Sequence, residues 1–313
     1  MSKRLSIGRI LFTVLVFSLL ALPAMASGPV KFGVPSWPGV TVKSEVASQL
    51  IRAMGYEVEQ TVASPSIIFK AMTLGELNAY LGGWSPVEDP MIDPLVEKGE
   101  IIRVGANIEE AVTALVVPSF VAEAGVTSIE DLAAHKDKFE STIYGIESGS
   151  GANNDIQEAI DANAAGLGDW ELAASSTASM LAQVQSLSEN KRWAVFWGWE
   201  PHWMNAVMDL HYLQSETPAT KKIGASVSVV YTITSNDLPE ANPQAYAFLE
   251  QLKVPSDVQS QWIYEYRQQD KEPEDLAPQW IKANLDGLVG QWLEGVRAAN
   301  GEPALKVVRA AFK

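Results

Sequence analysis

Apolar residues along this chain follow two alternating rhythms, short strand-like runs and longer stretches in which they recur every third or fourth position. VKFGV, Val30 to Val34, reads as a short strand running into the turn residues Pro35, Ser36, Pro38 and Gly39. TVKSEVASQLIRAMG then places Val42, Val46, Leu50 and Met54 four apart and closes on Gly55, which predicts a helix with a C-terminal stop. YEVEQTV alternates as a strand, and Ser64-Pro65 supplies an N-cap and first-turn pair for a helix over IIFKAMTL, ended by Gly75. NAYLGGW follows as a third strand with Trp84 at its end. Strand, helix, strand, helix, strand is the opening of a parallel α/β sheet, the architecture that buries both faces of a sheet under helices.

A second, similar unit begins near Pro118. STIYGIE reads as a strand, SGSGANNDIQEAI as a glycine-rich turn opening a helix, and SMLAQVQSL as a helix with Met180, Leu181, Val184 and Leu187 on one side. WAVFW is a strand leading into FWGWEPHW; the segment from Ile223 through SVSVVYTIT returns to β character, and helices fill most of the remainder. The expected fold is α/β and bilobed: residues 27–117 as the first part of lobe 1, 118–222 as lobe 2, and 223–313 as the return to lobe 1. A hinged cleft between such lobes closes around small ligands.

Composition sharpens this picture. The first 26 residues carry Lys3, Arg4 and Arg9 ahead of an apolar run from Ile10 to Leu22 and end in Ala24-Met25-Ala26, the pattern of a secretory signal peptide cleaved after Ala26. The mature protein is therefore expected in the periplasm. There is no cysteine, so the core alone must hold the fold. Without Lys3, Arg4 and Arg9 the mature chain has 20 Lys and Arg against 38 Asp and Glu, a balance that argues against nucleic acid or an anionic membrane surface as partner.

The candidate chemistry is aromatic. FWGWEPHW puts three tryptophans into eight residues, and Trp37, Trp84 and Trp199 fall at three different predicted strand ends, the edge at which open α/β sheets bind ligands. Tryptophan packs cores as readily as it lines sites, and Trp170, Trp193, Trp262, Trp280 and Trp292, in helical or polar contexts, are assigned to packing. A trimethylammonium group offers no N–H donor, but ring faces attract it at about 0.5–2 kcal/mol per ring once desolvated. The SGSGANN turn would expose backbone N–H groups at a helix N-terminus, a place for the polar end of the same ligand, with Ser148, Gly149, Ser150, Gly151 and Asn153 as candidates.

In this order, SWPG at Trp37, LNAYLGGWSP at Trp84, IYGIESGSGAN from Ile143, MLAQV from Met180 and GWEPHW from Gly198 resemble the periplasmic choline and glycine betaine binding proteins of ABC importers across nearly the whole mature chain. The resemblance implies a class II binding-protein fold with an aromatic box for quaternary ammonium at the lobe interface. It makes Trp37, Trp84 and Trp199 the box walls and implies delivery to a membrane permease by a monomeric, cofactor-free protein. Two positions depart from the choline-specific pattern. Gly39 stands where those members resemble W-x-D, and Thr113 aligns with a further box tyrosine. Losing an anion favours ligands that bring their own carboxylate, such as glycine betaine. Trp197 or Trp203 then supplies the missing wall; a strand reading puts Trp197 and Trp199 on one face and leaves open which of the candidates turns inward.

Other classes find less support. The histidines are His135, His202 and His211, with no hydrolase triad or metal pair among them. Glu200, two residues from His202, reads as a structural group bonding neighbouring backbone, and Glu88-Asp89 as a solvated turn. A sugar site would place Asp, Asn and Arg among the rings, whereas Trp37 and Trp84 have mostly Ser, Gly and Pro beside them.

Overall fold

The computed structural model describes residues 28–313; the signal-peptide reading lies outside the described residues. The chain runs through β1 (Val30–Val34), α1 (Pro38–Ala53), β2 (Val58–Val62), α2 (Pro65–Thr73), β3 (Ala79–Ser85), α3 (Asp89–Glu97), β4 (Ile101–Pro118) and α4 (Ser119–Glu123). It continues as β5 (Thr142–Tyr144), α5 (Gly151–Asp161), β6 (Glu171–Ala173), α6 (Thr177–Glu189), β7 (Val195–Glu200), α7 (Met204–Val207), β8 (Leu210–Tyr212) and β9 (Ser226–Ser235). Six helices close it: α8 (Leu238–Ala241), α9 (Pro243–Gln251), α10 (Ser256–Gln268), α11 (Pro273–Ala283), α12 (Leu288–Trp292) and α13 (Ala304–Ala311).

The predicted opening forms. α1 begins where Pro38 supplies a fixed φ at its first turn and ends before Gly55, whose φ of +91° only glycine adopts freely. Its four-residue stripe of Val42, Val46, Leu50 and Met54 is buried. β1 pairs in parallel with β2 and β3, as the strand–helix–strand pattern requires.

Beyond β3 the sheet turns mixed. Its order is β2-β1-β3-β9-β4-β7-β5-β6, with β8 also paired to β4. β9 runs antiparallel to both β3 and β4, while β5 pairs in parallel with β6 and β7. β4 is the unusual element, 18 residues in one strand. Its first two thirds pair with β9, and Val112 to Val116 pair with β7. Thr113 therefore has Ser226 of β9 on one side and Trp199 of β7 on the other. This order leaves only two strands, β9 and β4, between the one that bears Trp84 and the one that bears Trp199, although more than a hundred residues separate them in the chain.

The tryptophans assigned to packing do pack. Trp262 and Trp280 meet edge to face with centroids 4.7 Å apart, and Trp280 stacks on Trp292 at 5.6 Å. Trp170 and Trp193 lie against Phe139 at 5.7 and 5.2 Å.

Candidate functional site

Three strand ends meet around one cavity. Trp37 arrives from the turn after β1, Trp84 from the end of β3, and Trp197 and Trp199 from alternate positions of β7. Period-two alternation puts the last two on one sheet face, and both line the cavity. Val87, Ile146 and Ala152 complete an apolar lining, with Glu88, Thr113 and Ser150 as its polar side chains and no Lys or Arg. Trp203 does not join the wall. It opens onto a different hollow beside Tyr266 and Arg267, because the chain turns into α7 after Pro201 and carries it to the far side.

Two of the indoles, Trp37 and Trp199, are held by polar or aromatic partners. Trp37 donates its Nε1–H to Glu147 at 2.8 Å. The same carboxylate accepts from Ser36 Oγ at 2.8 Å and from the backbone N and Oγ1 of Thr177, both at 2.9 Å. Four donors from two distant segments thus converge on one anion, which also sits at the N-terminus of α6, where the free N–H groups favour it. Trp199 rests edge to face on His202, centroids 4.8 Å apart, and its carbonyl accepts from Asn205 Nδ2 at 2.9 Å. His202 accepts from the Met204 N–H at Nδ1, and burial, with the Arg267 charge adding, lowers its pKa to about 3, so it is a neutral ring. Glu200 does not share this framework. It points outward from the end of β7, and Asn205 takes the backbone-anchoring part.

Trp84 brings the largest departure from the sequence reading. Glu88 is no solvated turn residue: it is 1% exposed and lines the cavity. Tyr80 OH donates to its carboxyl at 3.2 Å and the Trp84 N–H at 3.3 Å. Burial pushes its pKa well above the usual carboxylate range, against the pull of those two bonds. Asp89 turns the other way, to Ser85 Oγ at 2.7 Å and Arg103 at 2.9 Å.

The glycine-rich turn divides. Ser150 and Gly151 line the cavity; Ser148, Gly149 and Asn153 do not. Ser150 Oγ caps α5 by accepting from the Asn153 N–H at 3.3 Å. Asn153 is spent on the loop itself, bonding the Ile146 N–H and C=O at 3.0 and 2.9 Å. Gly149 has a φ of +83°, and a Cβ on Gly151 would come within 2.3 Å of the Val87 carbonyl. Gly151 lets the turn press against the β3–α3 connection and Gly149 against Ser64 and Ser66 at the start of α2, a close-approach use of glycine. Ser148 is exposed.

Thr113 is 3% exposed and exchanges a hydrogen bond with Ser228 Oγ at 2.9 Å. Thr113 and Trp197 line the same cavity. Among the described residues, no group of three or more His, Cys, Asp or Glu could hold a metal ion.

The geometry has a counterpart among known proteins. Residues 28–283 match the family model described as the substrate binding domain of the ABC-type glycine betaine transport system. The chain is 38% identical over 147 residues to the uncharacterized protein ORF1 of Chromohalobacter salexigens, covering 46% of this chain and 95% of that protein. It is 32% identical over 198 residues to the glycine betaine/carnitine transport binding protein GbuC of Listeria monocytogenes, covering 62% of this chain and 63% of that protein. An ABC-transporter choline binding protein solved with choline superimposes with a TM-score of 0.87 at 29% identity, over 92% of this chain and 99% of that one. The chain therefore belongs to the substrate-binding proteins of ABC-type glycine betaine transport systems, a family of extracytoplasmic binding components rather than enzymes.

Proposed function

We propose that this protein captures a quaternary ammonium solute, glycine betaine ahead of choline, among Trp37, Trp84, Trp197 and Trp199, and delivers it to the permease of an ABC importer. One observation carries the reading: four indoles from three separate chain segments line one cavity that contains no cationic side chain. Several ring faces around one desolvated cation supply several kcal/mol in total, at ~0.5–2 kcal/mol each, enough for micromolar affinity in a preorganised site. Carnitine, proline betaine and trimethylamine N-oxide carry the same methylated head and are the next ligands to test. A sugar would find only Glu88, Thr113 and Ser150 as polar partners.

The cleft closes by movement of residues 118–222 against the rest, with Ser150 and Gly151 brought onto the ligand from that side. Calorimetric titration of the mature protein tests the assignment. Glycine betaine and choline bind while sugars do not, and Trp37→Ala, Trp84→Ala and Trp199→Ala each weaken binding; unchanged affinity in all three variants sinks the box.

A further inference from the structure

Two polar side chains lie buried behind the rings with their needs unmet. Lys43 of α1 is 2% exposed; its ammonium meets Asn107 Oδ1 at 2.5 Å, and it forms no ion pair among the described residues. Gln259 of α10 is 4% exposed, and its Oε1 has no hydrogen-bond partner. A buried ammonium is stable only when paired, so leaving Lys43 without a counter-charge works against folding unless something else supplies one; of the Gln259 carboxamide only the Nε2 amino group can donate to an anion, since Oε1 is an acceptor. Both border a second, narrow chamber, for which Trp37, Trp84 and Trp199 are also walls, and no carboxylate lines it. Gly39 explains how Gln259 gets there. A Cβ at that position would stand 2.1 Å from Gln259 Nε2, so the carboxamide occupies the space a side chain at 39 would take.

We propose that this inner chamber receives the anionic end of a zwitterionic ligand, with Gln259 and Lys43 as the residues that select a carboxylate over a hydroxyl. The inference rests on the aromatic box proposed above. The methylated cation lies against the indole faces and the carboxylate points inward, where it supplies the counter-charge Lys43 lacks and accepts from the Gln259 amide. Burial lowers the Lys43 pKa to about 7, the penalty such a carboxylate would relieve. Selection then comes from α10, far from the box in sequence, and requires glycine at 39.

Titration calorimetry of the purified mature protein with glycine betaine, choline and tetramethylammonium tests this, with thermal melts to verify that each variant folds. Gln259→Leu and Lys43→Met are each expected to weaken glycine betaine by about tenfold or more while tetramethylammonium changes by less than about twofold. The double variant Gly39→Asp/Gln259→Ala replaces the carboxamide with a carboxylate and is expected to reverse the order, choline above glycine betaine. Equal losses for betaine and tetramethylammonium in Gln259→Leu and Lys43→Met, or no loss in either, overturn the inference. Trp199→Ala separates the two readings. If it abolishes tetramethylammonium binding while the Gln259 and Lys43 variants change nothing, the box stands and the inner chamber falls. If tetramethylammonium binds Trp199→Ala as it binds the native protein, both fall.

Discussion

Two groups of tryptophans in this molecule have opposite architectures. Trp262, Trp280 and Trp292 touch one another, edge to face and stacked, and fill the space between the C-terminal helices. Trp37, Trp84, Trp197 and Trp199 face a common void, and two of them are tied to groups outside the set: Trp37 to Glu147 and Trp199 to His202. Rings that satisfy each other make a core; rings held apart by outside partners make a receptacle. The supports, more than the indoles, separate the two.

That contrast can be broken most forcefully at Trp262. Its truncation to Ala should cost about 3–5 kcal/mol of stability, read as a drop in the urea midpoint, because the indole is fully buried against Trp280. Trp199→Ala should instead cost affinity, about 100-fold or ~2.7 kcal/mol for a quaternary ammonium ligand, read by calorimetry. If Trp262→Ala lost affinity without stability, the division would be wrong.

Lys43 sharpens the comparison through pH. Its pKa falls from 10.5 to about 7 on folding, so between those values the unfolded chain binds more protons than the folded one. Stability conferred by this residue therefore rises with pH across that window, at up to ~1.4 kcal/mol per unit. Comparing urea midpoints at pH 7 and pH 9 should reveal the rise in the native protein and its loss in Lys43→Met. A smaller effect belongs to Glu147→Ala, which frees the Trp37 indole and should weaken ligand binding about tenfold, mostly through faster release. Stopped-flow tryptophan fluorescence measures it, and an unchanged release rate would mean that the Glu147 bonds do not hold the wall.

Much of the box was legible because aromatic residues at strand ends announce themselves, and the glycine, proline and helix signals around them fix where those ends lie. The polar supports were not. Glu88 reads as a turn residue because it follows Ser85-Pro86 and precedes Asp89, and only the register of β3 beneath Tyr80 shows its carboxyl turning inward. Lys43 and Gln259 sit on helices whose apolar periodicity is clear, and a periodic pattern has no way to mark one polar residue that points into the protein. Glu147 lay inside the quoted stretch YGIESG, yet its partners, Ser36, Trp37 and Thr177, come from elsewhere in the chain. The mixed sheet was hidden for a similar reason: local pattern identifies β4 and β9 as strands but carries no information on direction.

Lys43 apart, whose charge the proposed carboxylate would neutralise, a cation held against the rings of the box would compete with every ligand from inside. The imidazole against Trp199 is the obvious risk, its ring centroid 4.8 Å from that of the indole. With its pKa lowered to about 3 by burial, His202 stays a neutral ring through mild acidification and is no such rival. Such acidification of the surroundings therefore leaves this side of the receptacle vacant for the solute.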